Sequence, residues 1–366
     1  MKTFDLIVVG AGIVGAACAD AAAAEKLRIA VVEADIVGGG ATAAAMGHLV
    51  ALDDDPAELA LARYSLTLWE ELRELPAAQF DRCGTLWLAR SDEEFAAIEA
   101  KIERLRRVSI GAEAIAGSEL NRLEPALAPG LRGGLLVASD AVVYAPNVAR
   151  FLIERARGRG AEILLRRRAV ALDDDGVLLE DRTHLAGPVL LATGCALPDL
   201  LPMLPLRPRK GHLVMTGRCP GFIRHQLLEL GYTESARGAA ASSVAFNVQP
   251  RRTGQILIGS SREFGSVGRE VSLPTVHRML ARALEYLPGL RTLEVLRAWS
   301  GLRPTSLDGR PYLGAVPDRR QVWVAAGHEG LGITTALGSA RVVVDLLLGR
   351  GCAIDPAPFA PARALS

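Results

Sequence analysis

The sequence predicts a mixed fold, α/β with α+β character, in which a discontinuous nucleotide-type domain carries a second domain as insertions. Three observations predict it. The first 33 residues read as a complete strand, glycine turn, helix and strand. Apolar strands and glycine turns of the same kind return in the middle of the chain and near its end, so the first unit has partners far along the sequence. A length of 366 residues also exceeds what one hydrophobic core usually serves.

Leu6 to Val9 is a short, continuous apolar run of the kind that forms a strand buried on both faces. Gly10-Ala11-Gly12-Ile13-Val14-Gly15 follows at once, and then the alanine-rich stretch 16–24 with strong helix propensity. Residues 28–32 form the next strand, which ends in Glu33-Ala34. Glycine is needed three times in this Rossmann-like unit. Gly10 makes the tight turn, Gly12 lets the backbone approach a pyrophosphate, and Gly15 lets helix and strand pack closely. The helix amino terminus presents free N–H groups to phosphate. Glu33, eighteen residues beyond Gly15, is placed to accept hydrogen bonds from a ribose diol.

Past Trp69 the pattern changes. Residues 57–75 and 92–108 read as amphipathic helices rich in Glu and Arg, with a strand at 84–88 between them. A helix is expected at 147–158, and strands at 162–165, 169–172, 176–179 and 189–192, the last running into Thr193-Gly194. Strands return at 211–216, 244–249 and 255–260, and helices at 274–286 and 334–348. The Pro/Ala-rich tail from Asp355 cannot form a helix. The expected division is 1–83, 142–210 and 297–366 for the nucleotide-type domain, and 84–141 with 211–296 for the second.

The bulk numbers exclude several classes. Lys+Arg is 42 and Asp+Glu 41, so the net charge of +1 gives no electrostatic reason for a nucleic-acid partner. The basic run Arg166-Arg167-Arg168 reads as a solvated strand end. The five cysteines have no C-x-x-C spacing and the six histidines no H-x-x-x-H pair, so no metal site is expected. An odd, scattered cysteine count suits a reduced, cytoplasmic protein, or one peripheral to the inner membrane. Cys83 and Cys195 read as buried small residues. The first residues do not read as a signal peptide, and no run of about 18 apolar residues offers a spanning helix.

Further blocks sharpen the cofactor. Gly38-Gly39-Gly40-Ala41-Thr42 follows the second strand, Ala192-Thr193-Gly194 ends a later one, and Gly327-His328-Glu329-Gly330-Leu331-Gly332-Ile333-Thr334 opens the last long helix. In this order they resemble the D-amino-acid-oxidase family of flavoproteins, over nearly the whole chain. The resemblance implies a Rossmann-like FAD-binding domain and a substrate domain with a large mixed β-sheet. It implies that Ala44 to Leu49, with Met46, Gly47, His48 and Leu49, runs along the isoalloxazine ring, and that Val170 belongs to the cofactor set. His48 then either touches flavin or substrate or fills space. Gly330 and Gly332 let backbone approach the ring, where N–H groups of Ile333 and Thr334 stabilise negative charge on reduced flavin. Some relatives attach flavin through a cysteine, at the position Gly301 occupies here. Non-covalent FAD is therefore expected.

Gly301-Leu302-Arg303-Pro304-Thr305-Ser306-Leu307-Asp308-Gly309-Arg310-Pro311 resembles the family block whose arginine binds the substrate carboxylate. Arg303 inherits that role, and a planar guanidinium suits it through two parallel hydrogen bonds. The alternative is a structural ion pair between Arg303 and Asp308. Tyr232 and His225 are the further candidates over the flavin. No general base is required if hydride passes directly from Cα–H to flavin N5.

The segment 38–50, with Arg63-Tyr64-Ser65 and 82–87, resembles bacterial D-hydroxyproline dehydrogenases. That likeness implies oxidation of cis-4-hydroxy-D-proline to a pyrroline carboxylate. The electron acceptor is a quinone, an electron carrier or O2, with dehydrogenase favoured over oxidase. The alternatives are a glycine, sarcosine or D-amino acid oxidase, or the flavoprotein subunit of an amino acid or opine dehydrogenase with partner subunits.

Overall fold

The computed structural model describes residues 2–52, 55–231 and 242–365. Leu6–Val9 is buried throughout and lies between Val189–Leu191 and Ile29–Glu33, parallel to both. Glu162–Leu165 continues this sheet in parallel on one side and Val322–Ala326 on the other, and Tyr312–Ala315 closes that edge antiparallel. The central strands Leu6–Val9 and Val189–Leu191 are buried on both faces, so they read as unbroken apolar runs.

Helices Ile13–Ala24, Pro56–Trp69, Ala145–Gly158 and Gly332–Leu347 pack one face of this six-stranded sheet in a continuous apolar core. The alanines of Ile13–Ala24 let neighbouring helices approach closely, and ten of its twelve residues are buried. One of them is Asp20. Its charge is met by Arg155 at 2.6 Å and Arg159 at 2.7 Å, as a buried carboxylate requires. A small four-stranded sheet, Lys2–Thr3 with His184–Ala186, Gly176–Leu179 and Ala169–Leu172, lies on the opposite side and contributes to a second core.

The other large unit is an eight-stranded mixed sheet, in spatial order Val295–Thr305, Arg207–Thr216, Ile256–Phe264, Ser242–Pro250, Gln226–Glu229, Thr85–Ala89, Gly133–Val137 and Glu113–Ala116. Side chains alternate across it. Leu227, Phe246, Val248 and Ile258 pack with residues of helix Leu273–Tyr286. Gln226, Leu228, Asn247 and Leu213, on the other face, line a cavity. This is the mixed α/β architecture with a large mixed sheet.

Several elements differ from expectation, each for a physical reason. The helix expected at 57–75 is Pro56–Trp69 followed by a 3-10 turn, Glu70–Leu72; Asp55 caps it by accepting from the N–H groups of Ala57 and Glu58. The helix expected at 92–108 divides at Ala97 into Asp92–Ala96 and Ile98–Arg107. Strands Arg207–Thr216 and Val295–Thr305 run across the expected domain boundaries at 210 and 297, because they pair with one another over nearly their whole length. Pro304 is accommodated because Val295–Thr305 is the edge strand. The tail forms only two 3-10 turns, Ala357–Phe359 and Pro361–Ala364. Among the described residues no helix is long and apolar enough to cross a membrane, and no cluster of metal-ligating side chains is assembled.

Candidate active site

One long cavity of about 350 Å³ runs between the two large sheets. Its nucleotide-type end is made of backbone. Gly10 has φ +101°, and a Cβ there would lie 2.5 Å from the Ala192 carbonyl oxygen. A Cβ on Gly15 would lie 1.9 Å from the carbonyl oxygen of Gly10, so the helix sits against the turn as only glycine permits. Gly15 itself is behind the wall, whereas Gly10, Gly12, Ile13 and Val14 line it. Helix Ile13–Ala24 has no side-chain cap, and the Ile13 N–H donates to Thr42 Oγ1 at 3.0 Å. Glu33 accepts from the N–H groups of Ala11 at 2.7 Å and Asp35 at 2.8 Å, and with Ala34 it lines the cavity.

Ala41, Thr42, Thr193 and Gly194 line the same stretch, and Thr193 Oγ1 is buried without a hydrogen-bond partner. An elongated groove of close-approach glycines, a helix amino terminus with only its first N–H held by Thr42, a carboxylate and a hydroxyl without a partner among the described residues fit a dinucleotide. Arg167 and Arg168 also reach this end, so the basic run stands at the cavity mouth as well as being solvated; Arg167 is paired there with Asp181. Val170 is exposed and outside the lining, where its neighbour Ala169 stands instead. The alternation of strand Ala169–Leu172 decides which of the two faces the cavity.

The middle of the cavity is lined by Met46, Gly47, His48 and, across from them, Gly330, Leu331, Gly332 and Ile333. Helix Gly332–Leu347 has no side-chain cap, which leaves its first N–H groups open. Leu49 and Thr334 lie behind this wall and hold it in place. Leu49 is in the core, and the Thr334 hydroxyl donates to the His48 carbonyl at 3.1 Å and accepts from the Val50 N–H at 3.3 Å. Burial, followed by the Arg303 charge, pushes the His48 imidazole down to about 4, so it is neutral. Burial pushes His328 down to about 3; its Nε2 is 3.0 Å from Ser339 Oγ.

Arg303 lies at the far end. Its guanidinium folds across Gly211 on the paired strand, where a Cβ would stand 2.5 Å from Nη1 and 2.6 Å from Nη2. Nη1 donates to the Ser261 carbonyl at 3.1 Å. Asp308 is engaged elsewhere, accepting from Arg363 Nε at 2.7 Å, so the alternative of an Arg303–Asp308 pair is not what forms. Gly301, also on the wall, packs against Ala44: a Cβ there would be 2.4 Å from the Ala44 Cβ.

The sequence reading missed other residues at this end: Arg209, Arg262, Gln226, Asn247 and Ser260 lie in no recognisable motif, and Glu329 lies in a quoted block that gives no sign of its guanidinium partners. Glu329 is 3.6 Å from Arg209 and 3.9 Å from Arg262. Burial opposes its charge, but the guanidiniums of Arg262, Arg303 and Arg209 outweigh burial and hold its pKa below the usual carboxylate range. Arg262, Arg303 and Glu329 line the cavity, so guanidinium groups as well as the carboxylate face it. Gln226, Asn247 and Ser260 add neutral polar groups.

His225 is not part of the lining. Its Nδ1 is 2.6 Å from Glu124 Oε1, and its backbone N–H donates to the same oxygen at 2.7 Å. Tyr232 lies outside the described residues. Burial pushes the Cys83 and Cys195 thiols up to about 12 and about 11, away from thiolate chemistry.

Comparison with known proteins agrees with this geometry. A glycine oxidase of Geobacillus kaustophilus (strain HTA426) is 30% identical over 378 residues, covering 98% of this chain and 97% of the relative. A D-amino acid dehydrogenase of Rhizobium rhizogenes (strain K84 / ATCC BAA-868) is 27% identical over 322 residues, covering 83% and 74%. The crystal structure of glycine oxidase from Geobacillus kaustophilus superposes with a TM-score of 0.88 at 29% identity, over 99% of both chains. Residues 5–346 match the family described as FAD dependent oxidoreductase, DAO, and the chain belongs to that family of FAD flavoproteins.

Proposed function

We propose that this FAD-dependent amino acid oxidoreductase dehydrogenates the C–N bond of a small amino or imino acid, of the cis-4-hydroxy-D-proline type. The observation that carries the site assignment is the Arg303 guanidinium, laid over Gly211 into the cavity that also contains the glycine loops. It binds the substrate carboxylate in a bidentate pair. Gly10, Gly12, Glu33, Thr42 and Thr193 would hold the nucleotide part of FAD, and the glycines Gly47, Gly330 and Gly332 on the same cavity wall would hold the rest of it.

Bound FAD supplies the two-electron acceptor for the substrate's Cα hydride. The chain itself does three things. Arg303 fixes the carboxylate and thereby the direction of Cα–H. The open amino terminus of helix Gly332–Leu347 and the guanidiniums of Arg262 and Arg303 on the cavity wall stabilise negative charge that develops in the cavity. Neutral His48 and His328 add no competing proton at working pH. The product is an imine, or a pyrroline carboxylate from a ring substrate. Electrons leave to a quinone or an electron carrier, the chain standing in the cytoplasm or against the inner membrane with partner subunits.

The second reading is a glycine or sarcosine oxidase using O2, and the 30% identity to a glycine oxidase over 98% of the chain favours it. Anaerobic mixing of the purified flavoprotein with a substrate panel separates the two. The panel holds cis-4-hydroxy-D-proline, D-proline, their L-isomers, glycine, sarcosine and several D-amino acids. Rapid bleaching of the flavin by the D-imino acids is the expected result. Bleaching by glycine and sarcosine, with fast reoxidation in air, selects the second reading. No bleaching by any member defeats both for the isolated chain.

A further inference from the structure

Two buried amides at the cavity wall have hydrogen-bonding capacity that the described residues leave unused. Gln226 is fully buried, and its Nε2 donates to Thr85 Oγ1 and to the Ala141 carbonyl, both at 3.2 Å. A backbone carbonyl only accepts, so the amide nitrogen belongs on that side and the group cannot be turned over. Both its N–H groups are used. Its Oε1 has no partner and stands as an acceptor. The Thr85 hydroxyl accepts from Gln226 and stands beside the buried Asp140, where it holds that carboxyl's pKa below what burial alone would give.

Asn247 is on the adjacent strand, opposite Leu228, and is 1% exposed. Neither its Nδ2 nor its Oδ1 has a partner among the described residues. Both side chains line the cavity that Arg303 enters from the other edge of the sheet. Arg303 reaches back over the neighbouring strand at Gly211, two strand steps across the sheet from Asn247 and about three residues along it, a diagonal of roughly 14 Å.

We propose that Gln226 and Asn247 form a second polar anchor, remote from Arg303, that takes a hydroxyl group of the substrate. It rests on the amino/imino acid reading and adds the residues that sort its substrates. A hydroxyl needs one donor and one acceptor. Asn247 Nδ2 donates to its oxygen, and its hydrogen goes to Gln226 Oε1. Thr85 and Asp140 are positioning residues that hold Gln226 with its oxygen toward the cavity. A substrate without the hydroxyl leaves these buried groups unpaired, and sites built to bond a hydroxyl discriminate strongly against the analogue that lacks it.

The test uses the holoenzyme and a pair of amine-free probes, tetrahydrofuran-2-carboxylate and its cis-4-hydroxy derivative, with Kd measured by calorimetry. The wild type is expected to prefer the hydroxylated probe by about tenfold or more. Gln226→Met and Asn247→Leu should each bring that ratio toward one. Thr85→Val should lower it partway, and Thr85→Ser should restore it, which a merely structural role would not produce. The kcat/KM ratio for cis-4-hydroxy-D-proline over D-proline should follow the same order.

Equal binding of the two probes by the wild type overturns the proposal. So do variants that weaken both probes equally, and so does loss of flavin from both Gln226→Met and Asn247→Leu, which would assign the pair to the cofactor. The probes carry no oxidisable amine. A hydroxyl preference in their binding therefore stands even where no amino acid bleaches the flavin, and the failures of the two readings remain distinguishable.

Discussion

Where Gly10, Gly12 and Ala192 meet, the cavity wall is main chain; where Arg303, Gln226 and Asn247 stand, it is side chain on a sheet. The first region comes from short contiguous segments on one parallel sheet. The second comes from strands as far apart in sequence as Thr85 and Arg303. The difference is one of tolerance. A backbone cradle fails when any Cβ intrudes, because nothing can move out of its way. A side-chain wall fails by degrees, because each group can be shortened or re-aimed.

The strongest way to break this comparison is at Gly15. Gly15→Val would force a Cβ to 1.9 Å from the Gly10 carbonyl, both of them rigid backbone. The protein should purify without flavin absorbance and lose stability at or above the overpacking range, about 3 kcal/mol. A yellow Gly15→Val protein would show the cradle is looser than drawn. Next is Arg303→Ala, which should retain FAD but lose roughly 2–5 kcal/mol, or about 30-fold to several thousandfold in kcat/KM. Unchanged kinetics would remove Arg303 from the carboxylate site.

Gly211→Ala sharpens the contrast, since its new Cβ meets only the end of a flexible side chain. Arg303 should shift rather than the fold, raising KM about tenfold, near 1.4 kcal/mol, while FAD and melting temperature hold. Acid provides a smaller test. His328 and His48 stay neutral when folded, with pKa values of about 3 and about 4, whereas the unfolded chain protonates them near 6.5. Their contribution to stability is present above pH 6.5 and is lost as pH falls toward 4. Melting temperature should therefore drop between pH 7.5 and 5, and less in His328→Gln. The smallest kinetic effect is expected of His225→Asn. It removes a partner of buried Glu124 and costs about 1–3 kcal/mol of stability, yet should leave kcat/KM within about threefold.

The same contrast explains what could be read from the chain. The glycine turn at 10–15, the helix after it and Glu33 form a local unit whose conformation follows from its own residues, so their placement was legible. Arg303 was legible through its block. Gln226 and Asn247 were not, since a polar residue within a strand carries no motif. Nor were Arg262 and Glu329, whose pairing depends on two loops and strands meeting. Val170 shows the limit most simply: the strand was expected, but which of two neighbours faces the cavity depends on a phase that four residues do not specify. His225 shows it again, for a histidine beside a cavity-lining residue turned out to serve a buried glutamate.

By itself, then, the sequence determined the mixed α/β fold, the glycine cradle and membership of a FAD family, because each is written in contiguous residues whose backbone conformation is locally constrained. The tertiary structure alone decided that Gly211 lies beneath Arg303, that Glu329 gathers three guanidiniums, and that Thr85 locks Gln226 across 141 residues of chain. Those arrangements depend on strand register and sheet order, which no single segment encodes.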